Sequence, residues 1–252
     1  MQPDPTNLLK RIDYSKPLIT MYDAPDPSAF EPLVKPDPDK HTCIFAHYKS
    51  WMNGKTTHLT KDCHGCNGAG RYFLGIQGSS REEFLKFLVD DEGLKASREL
   101  MAEYVDKGVT YKNKYDNIMI GPLRDDLYKY AQSITFWVNP DQLSILTWGA
   151  RYFSKPSDPP SVIAPFSSGC GLLWQFENPD YPQATIGATD LTMRPYIPAD
   201  ILAFTVNKPM FELLCRLDER SFLYKPFLQN LRKSRGLPEI GNPGSLIGTN
   251  LN

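Results

Sequence analysis

Short apolar runs set apart by proline, glycine and acidic residues make up the hydrophobic pattern of this chain. Residues 42–49 (TCIFAHYK) and 56–59 are rich in β-branched and aromatic side chains and flank Asn53-Gly54. That dipeptide tolerates positive φ at both positions, so a β-hairpin is expected there. Further strands are predicted at 118–121 (IMIG), 135–138 (TFWV), 161–166, 184–187 (ATIG) and 203–206 (AFTV). Helical spacing follows Ser79-Ser80, with Glu82-Glu83 in the first turn and FLKFLVDD as the apolar face. Residues 94–105 read as a second amphipathic helix closed by Gly108. Residues 172–176, 211–217 and 224–232 complete the helical set.

One local pattern occurs twice. Residues 118–121 lead to 135–138 and then to Asn139-Pro140, while residues 184–187 lead to 203–206 and then to Asn207-Lys208-Pro209. Each unit reads strand, strand, Asn cap, Pro in the first turn, helix, so an internal duplication is one reading. The other is that Val-Asn-Pro is a common strand-to-helix junction. Residues 1–39 are Pro- and Asp-rich and are expected to form an extended arm with one short helix at 7–13. The resulting picture is an α+β fold: a single domain over 40–235, a mixed sheet covered by helices, and a loose tail at 236–252.

Composition narrows the class. With 252 residues, 28 basic against 29 acidic side chains and 13 Tyr and 13 Phe, the chain can bury an ordinary core. It shows no broad basic footprint for nucleic acid. No apolar stretch reaches the ~18 residues that would indicate a membrane span. The start MQPDPTNLLKR has no basic region followed by an apolar run, so a cytoplasmic address with reduced thiols is expected. A small molecule or a metal is the expected partner, and self-association is possible.

Candidate chemistry concentrates between His41 and Gly75. All four histidines (His41, His47, His58, His64) and three of five cysteines (Cys43, Cys63, Cys66) fall there. Cys63-His64-Gly65-Cys66 is a CxxC whose turn can aim two thiolates at one centre. Cys43, Cys170 and His64 (or His41 in its place) are candidates to complete a zinc or iron–sulfur shell. Two other readings stand beside it: a redox dithiol, and cysteines serving only as small buried hydrophobes. Gly65, Asn67, Gly68 and Gly70 form a turn whose amides can hold a small anion, without the Lys-Ser/Thr of a P-loop. Cys170 sits in a small-residue turn (SSGCG) that lacks the GxSxG spacing of a nucleophile elbow. Cys215 lies on an apolar helix face, and Trp137, Trp148 and Trp174 read as core or pocket walls.

The order of these pieces resembles the family called domain of unknown function 169. The resemblance rests on Cys43 after a Pro-rich lead, Cys-x-x-Cys-x-Gly-x-Gly over 63–70, an apolar strand with Gly-Pro at 118–123, a strand into Asn-Pro-x-Gln-Leu at 138–143, and Gly169-Cys170. It covers roughly residues 30–220. It implies a soluble globular fold and no established activity. A further cysteine in the late strand region belongs to that pattern, and here Gly187-Ala188-Thr189-Asp190 has none.

Overall fold

The structure, a computed structural model, describes residues 3–66, 72–76, 80–107, 110–164, 173–174, 176 and 179–241. Its frame is an eight-stranded mixed sheet. The strands are β1 (Ile19–Asp23), β2 (Leu33–Val34), β3 (Thr56–Leu59), β4 (Ile118–Pro122), β5 (Ala131–Val138), β6 (Val162–Ile163), β7 (Ala184–Gly187) and β8 (Leu202–Asn207). They lie in the order β2-β3-β4-β1-β5-β8-β7-β6. The two outermost pairs, β2/β3 and β6/β7, are parallel, and every other pair is antiparallel.

β1 and β5 form the central seam, running antiparallel with Ile19 opposite Thr135. Outward from the seam, one side reads first, fourth, third and second strand of its half (β1, β4, β3, β2), and the other side reads likewise (β5, β8, β7, β6). The pairing senses match on both sides. The segments that carry the repeated sequence pattern are not equivalent in this scheme: β7 and β8 pair directly, whereas β1 separates β4 from β5. The arrangement therefore does not establish a strand–strand–helix duplication.

Helices cover both faces, which is why the central strands are buried almost throughout instead of alternating with solvent. One face packs Ile19, Met21, Ile120 and Trp137 under α2 (Tyr48–Met52), α3 (Arg81–Lys86) and α4 (Arg98–Lys107). The other packs Ile134, Phe136, Phe204 and Val206 under α1 (Thr6–Arg11), α5 (Pro140–Arg151), α6 (Lys208–Cys215) and α7 (Pro226–Ser234). Helix starts follow the expected caps. Ser80 with Glu83 and Asn139 with Gln142 form capping boxes, and Asn207 accepts from the Met210 amide.

Three expectations are corrected. The expected arm supplies β1, the middle of the sheet, because its five residues lie between proline-bearing segments that mask a buried strand. Residues 44–52 form a 3-10 turn and α2, not the first strand of a hairpin. Asn53-Gly54 still turns the chain, with Gly54 at φ +81°, but it joins a helix to β3. The first part of the expected loose tail is tied down: Arg11 donates to the Gly241 carbonyl and Arg232 to that of Pro238, while Gln229 bonds Ile240 in both directions. Among the described residues no helix is long and apolar enough to cross a membrane.

Candidate functional site

The turn that carries Cys63 and Cys66 starts where β3 ends. The Thr42 amide donates to the Gly65 carbonyl at 2.9 Å, laying residues 41–43 against the CxxC turn. Gly65 has φ +73°, and a Cβ there would fall 2.7 Å from the Thr42 carbonyl oxygen. Its glycine is thus explained by the close approach of two backbones. Asn67, Gly68, Gly70 and Cys170 lie outside the described residues.

This crossing puts Cys43 and Cys66 on neighbouring segments packed against one core. Burial pushes the Cys43 thiol up to about 12, and the nearby Cys66, Asp190 and Glu92 add to it, with the Phe45 amide opposing. Burial, helped by Asp190 and Asp91, likewise raises the Glu92 carboxyl to about 7. Its buried Oε2 has no hydrogen-bond partner among the described residues. Cys63 takes another role: its amide donates to Thr60 Oγ1 at 3.2 Å. His64 Nδ1 lies 3.2 Å from the Cys66 carbonyl, a contact that holds its own turn.

Two of the histidines have contacts of their own away from any cysteine. His41 packs beside Phe87, and His58 Nε2 bonds Asn117 Oδ1 at 2.8 Å from within β3. No disulfide links any two of the described cysteines. Among the described residues no group of three or more His, Cys, Asp or Glu side chains is arranged to hold a metal ion. Cys215 packs on the opposite face of the sheet, where burial raises its thiol to about 12. Trp137 is fully buried as expected, while Trp148 is 59% exposed. Arg194 donates to four backbone carbonyls between Ala188 and Ile201.

A second arrangement escaped the sequence reading. At the end of the central seam, where β1 stops and β5 begins, a cleft of about 640 Å³ opens. Its charged wall carries Lys112, Lys114 and Lys129, and its aromatic wall Tyr111, Tyr115, Tyr130 and Trp174. Asp23, the last residue of β1, fixes this wall from below. Its buried carboxylate accepts from the Tyr111 hydroxyl, the Lys114 amide at 2.7 Å and the Tyr115 amide at 3.1 Å. The Tyr111 amide in turn donates to Phe73 O at 2.8 Å, and its ring meets Trp174 edge-on with centroids 4.6 Å apart.

Asp23 is already engaged by three donors, and it is the only acidic residue among the described lining. Three lysines therefore line the opening in a protein of net charge −1. Burial and the hydrogen bond to Asp23 hold the Tyr111 phenol neutral, far above its ordinary range. The sequence signal was present as Lys-Asn-Lys-Tyr at 112–115 and Lys129-Tyr130. Nothing in the linear order announced that β1 would bring the two together.

Comparison with known proteins gives one match. The model of the domain of unknown function 169 family, described as an uncharacterised ArCR, matches residues 18–216. No curated protein and no solved structure matches the chain at a significant level.

Proposed function

The chain belongs to the domain of unknown function 169 family, and on that premise, which carries no activity, we propose that the protein binds a small anionic ligand in the lysine–tyrosine cleft. The observation that carries this is the convergence of Lys112, Lys114 and Lys129 on a 640 Å³ cleft whose one acidic residue among the described lining is internally satisfied. Ligand sites commonly occupy ~300–1,000 Å³ and place a few polar groups on an apolar wall. Lysine offers a compact, strongly attracting charge for phosphate or carboxylate. The anion-binding role thus moves from the glycine turn at 65–70 to side chains about fifty residues further on.

Thermal denaturation with phosphate, pyrophosphate and citrate tests this. A ligand at a hundredfold excess over its Kd stabilises by about 2.7 kcal/mol, which raises Tm by roughly 5–10 °C in a protein of this size. The triple variant Lys112→Ala/Lys114→Ala/Lys129→Ala keeps the fold and loses the shift. Equal responses of the two proteins, or none from either, would overturn the proposal.

A second reading keeps the cysteine segment as a metal or iron–sulfur site. What favours it is that Cys66, Asp190 and Glu92 add to the cost of ionising the buried Cys43 thiol, and Asp190 and Asp91 to that of the Glu92 carboxyl, and a cation among them would reverse both costs. Zinc or an iron–sulfur cluster would draw on Cys43, Cys63, Cys66, Cys170 and His64. Elemental analysis and a visible spectrum of anaerobically purified protein decide it; less than about 0.1 equivalent of zinc and iron ends it. The redox reading is weaker at Cys43, because a thiol held protonated at neutral pH is a poor nucleophile.

A further inference from the structure

We infer that the ligand of the lysine–tyrosine cleft carries a planar heteroaromatic ring beside its anionic group, as a nucleoside monophosphate does; this rests on the anion-binding reading above. Four of the eleven described lining residues are aromatic, more than an inorganic anion or a simple polycarboxylate would use. Two of the rings are held in place. Tyr111 is anchored at both ends, through its hydroxyl to Asp23 and its amide to Phe73. Trp174 stands edge-on to Tyr111 and also meets Phe176 at 5.7 Å. The two make a corner with little freedom left to lose, the condition under which a flat ring is bound at small entropic cost.

The cations flank aromatic rings of the same cleft. Lys114 Nζ lies 4.9 Å from the Tyr115 ring centroid, and Lys129 Nζ lies 4.9 Å from that of Tyr130. Each lysine is thus held beside a ring by cation–π attraction. Charge and flat surface are presented as a unit, and a ligand that joins a ring to a phosphate matches both. Asp23 links the two walls, because the carboxylate that fixes the Tyr111 ring also fixes the backbone of Lys114 and Tyr115.

Isothermal titration with AMP, GMP, CMP and UMP, and separately with adenosine and inorganic phosphate, tests the inference. At least one nucleotide is expected to bind ten times more tightly than either fragment. Trp174→Ala should weaken that nucleotide about tenfold, the scale of one base–aromatic stack, and leave phosphate unchanged. Should Trp174→Ala fail to fold, Tyr130→Ala supplies the same readout. Phosphate binding as tightly as every nucleotide, with both aromatic variants neutral, overturns this inference and leaves the anion reading standing. Failure of all probes, with the triple lysine variant indistinguishable from the parent protein, overturns both.

Discussion

Asp23 shows how one residue can organise a site it does not chemically serve. It ends the strand at the middle of the sheet, is buried, and spends its charge on one phenol and two backbone amides. Replacing it with alanine strands those donors, each costing ~1–3 kcal/mol less whatever water can recover. Asp23→Ala should lower stability by about 3 kcal/mol and abolish any ligand-induced Tm shift; a loss under about 1 kcal/mol in urea denaturation would contradict the anchoring role. Glu92 offers a prediction of opposite sign. Its folded pKa, about 7, lies above the ordinary 4.5. The protonated form therefore favours folding in full below about pH 4.5, and that contribution is lost as pH rises through 7. Glu92→Gln should match the parent protein near pH 4.5 and exceed it at pH 8 by about 1 kcal/mol, a figure reduced because the half-exposed side chain is screened by water. A cation held at the cysteine segment would invert this, making Glu92→Gln the less stable form at pH 8.

At the scale of elements, the two Asn caps look alike in sequence and differ in what they hold. Asn139 caps α5, and its Oδ1 accepts from the Gln142 amide. Asn207 caps α6 and also joins β8 to the chain leading into β7: its side chain accepts from the Gln183 amide and donates to the Pro179 and Tyr181 carbonyls. Asn139→Ala is expected to cost about 1 kcal/mol, as an ordinary cap does. Asn207→Ala should cost about 3 kcal/mol, since it also leaves buried backbone groups unpaired. Chemical denaturation of both variants checks the ratio, and equal losses would deny Asn207 its wider role. Both caps were legible in the sequence because capping is local, fixed by residue type and a spacing of three. The 3-10 turn and α2 at 44–52 were not, since TCIFAHYK satisfies strand propensity. Trp51 settles the outcome from within the segment, buried against Phe45 with its Nε1 donating to Thr57 Oγ1 at 2.7 Å.

At the scale of the whole molecule, the least legible fact is also the most consequential: the sheet is built around a strand from the segment that reads as a peripheral arm. Composition assigned residues 1–39 to that arm because prolines dominate any average over them, and an average cannot resolve five consecutive buried residues. The cysteine cluster drew notice for the converse reason, being dense along the chain although its described part brings no three His, Cys, Asp or Glu side chains together for a metal ion once the chain folds. The cleft stayed hidden because its lysines come from two segments that meet only at the end of β1. That dependence is testable. A chain limited to residues 40–235 lacks β1, leaving the hydrogen-bonding edges of β4 and β5 without the strand that pairs with both. It would also expose the side of the core that receives Ile19 and Met21, and would lack α1, which packs on the other face. Strand edges of this length with nothing to cover them favour association over folding. The shortened chain should show no cooperative thermal transition and should aggregate under conditions in which the full protein melts cooperatively. A sharp transition within about 5 °C of the full-length value for residues 40–235 would show that β1 is an accessory strand, and would remove the anchor on which the lysine–tyrosine cleft depends.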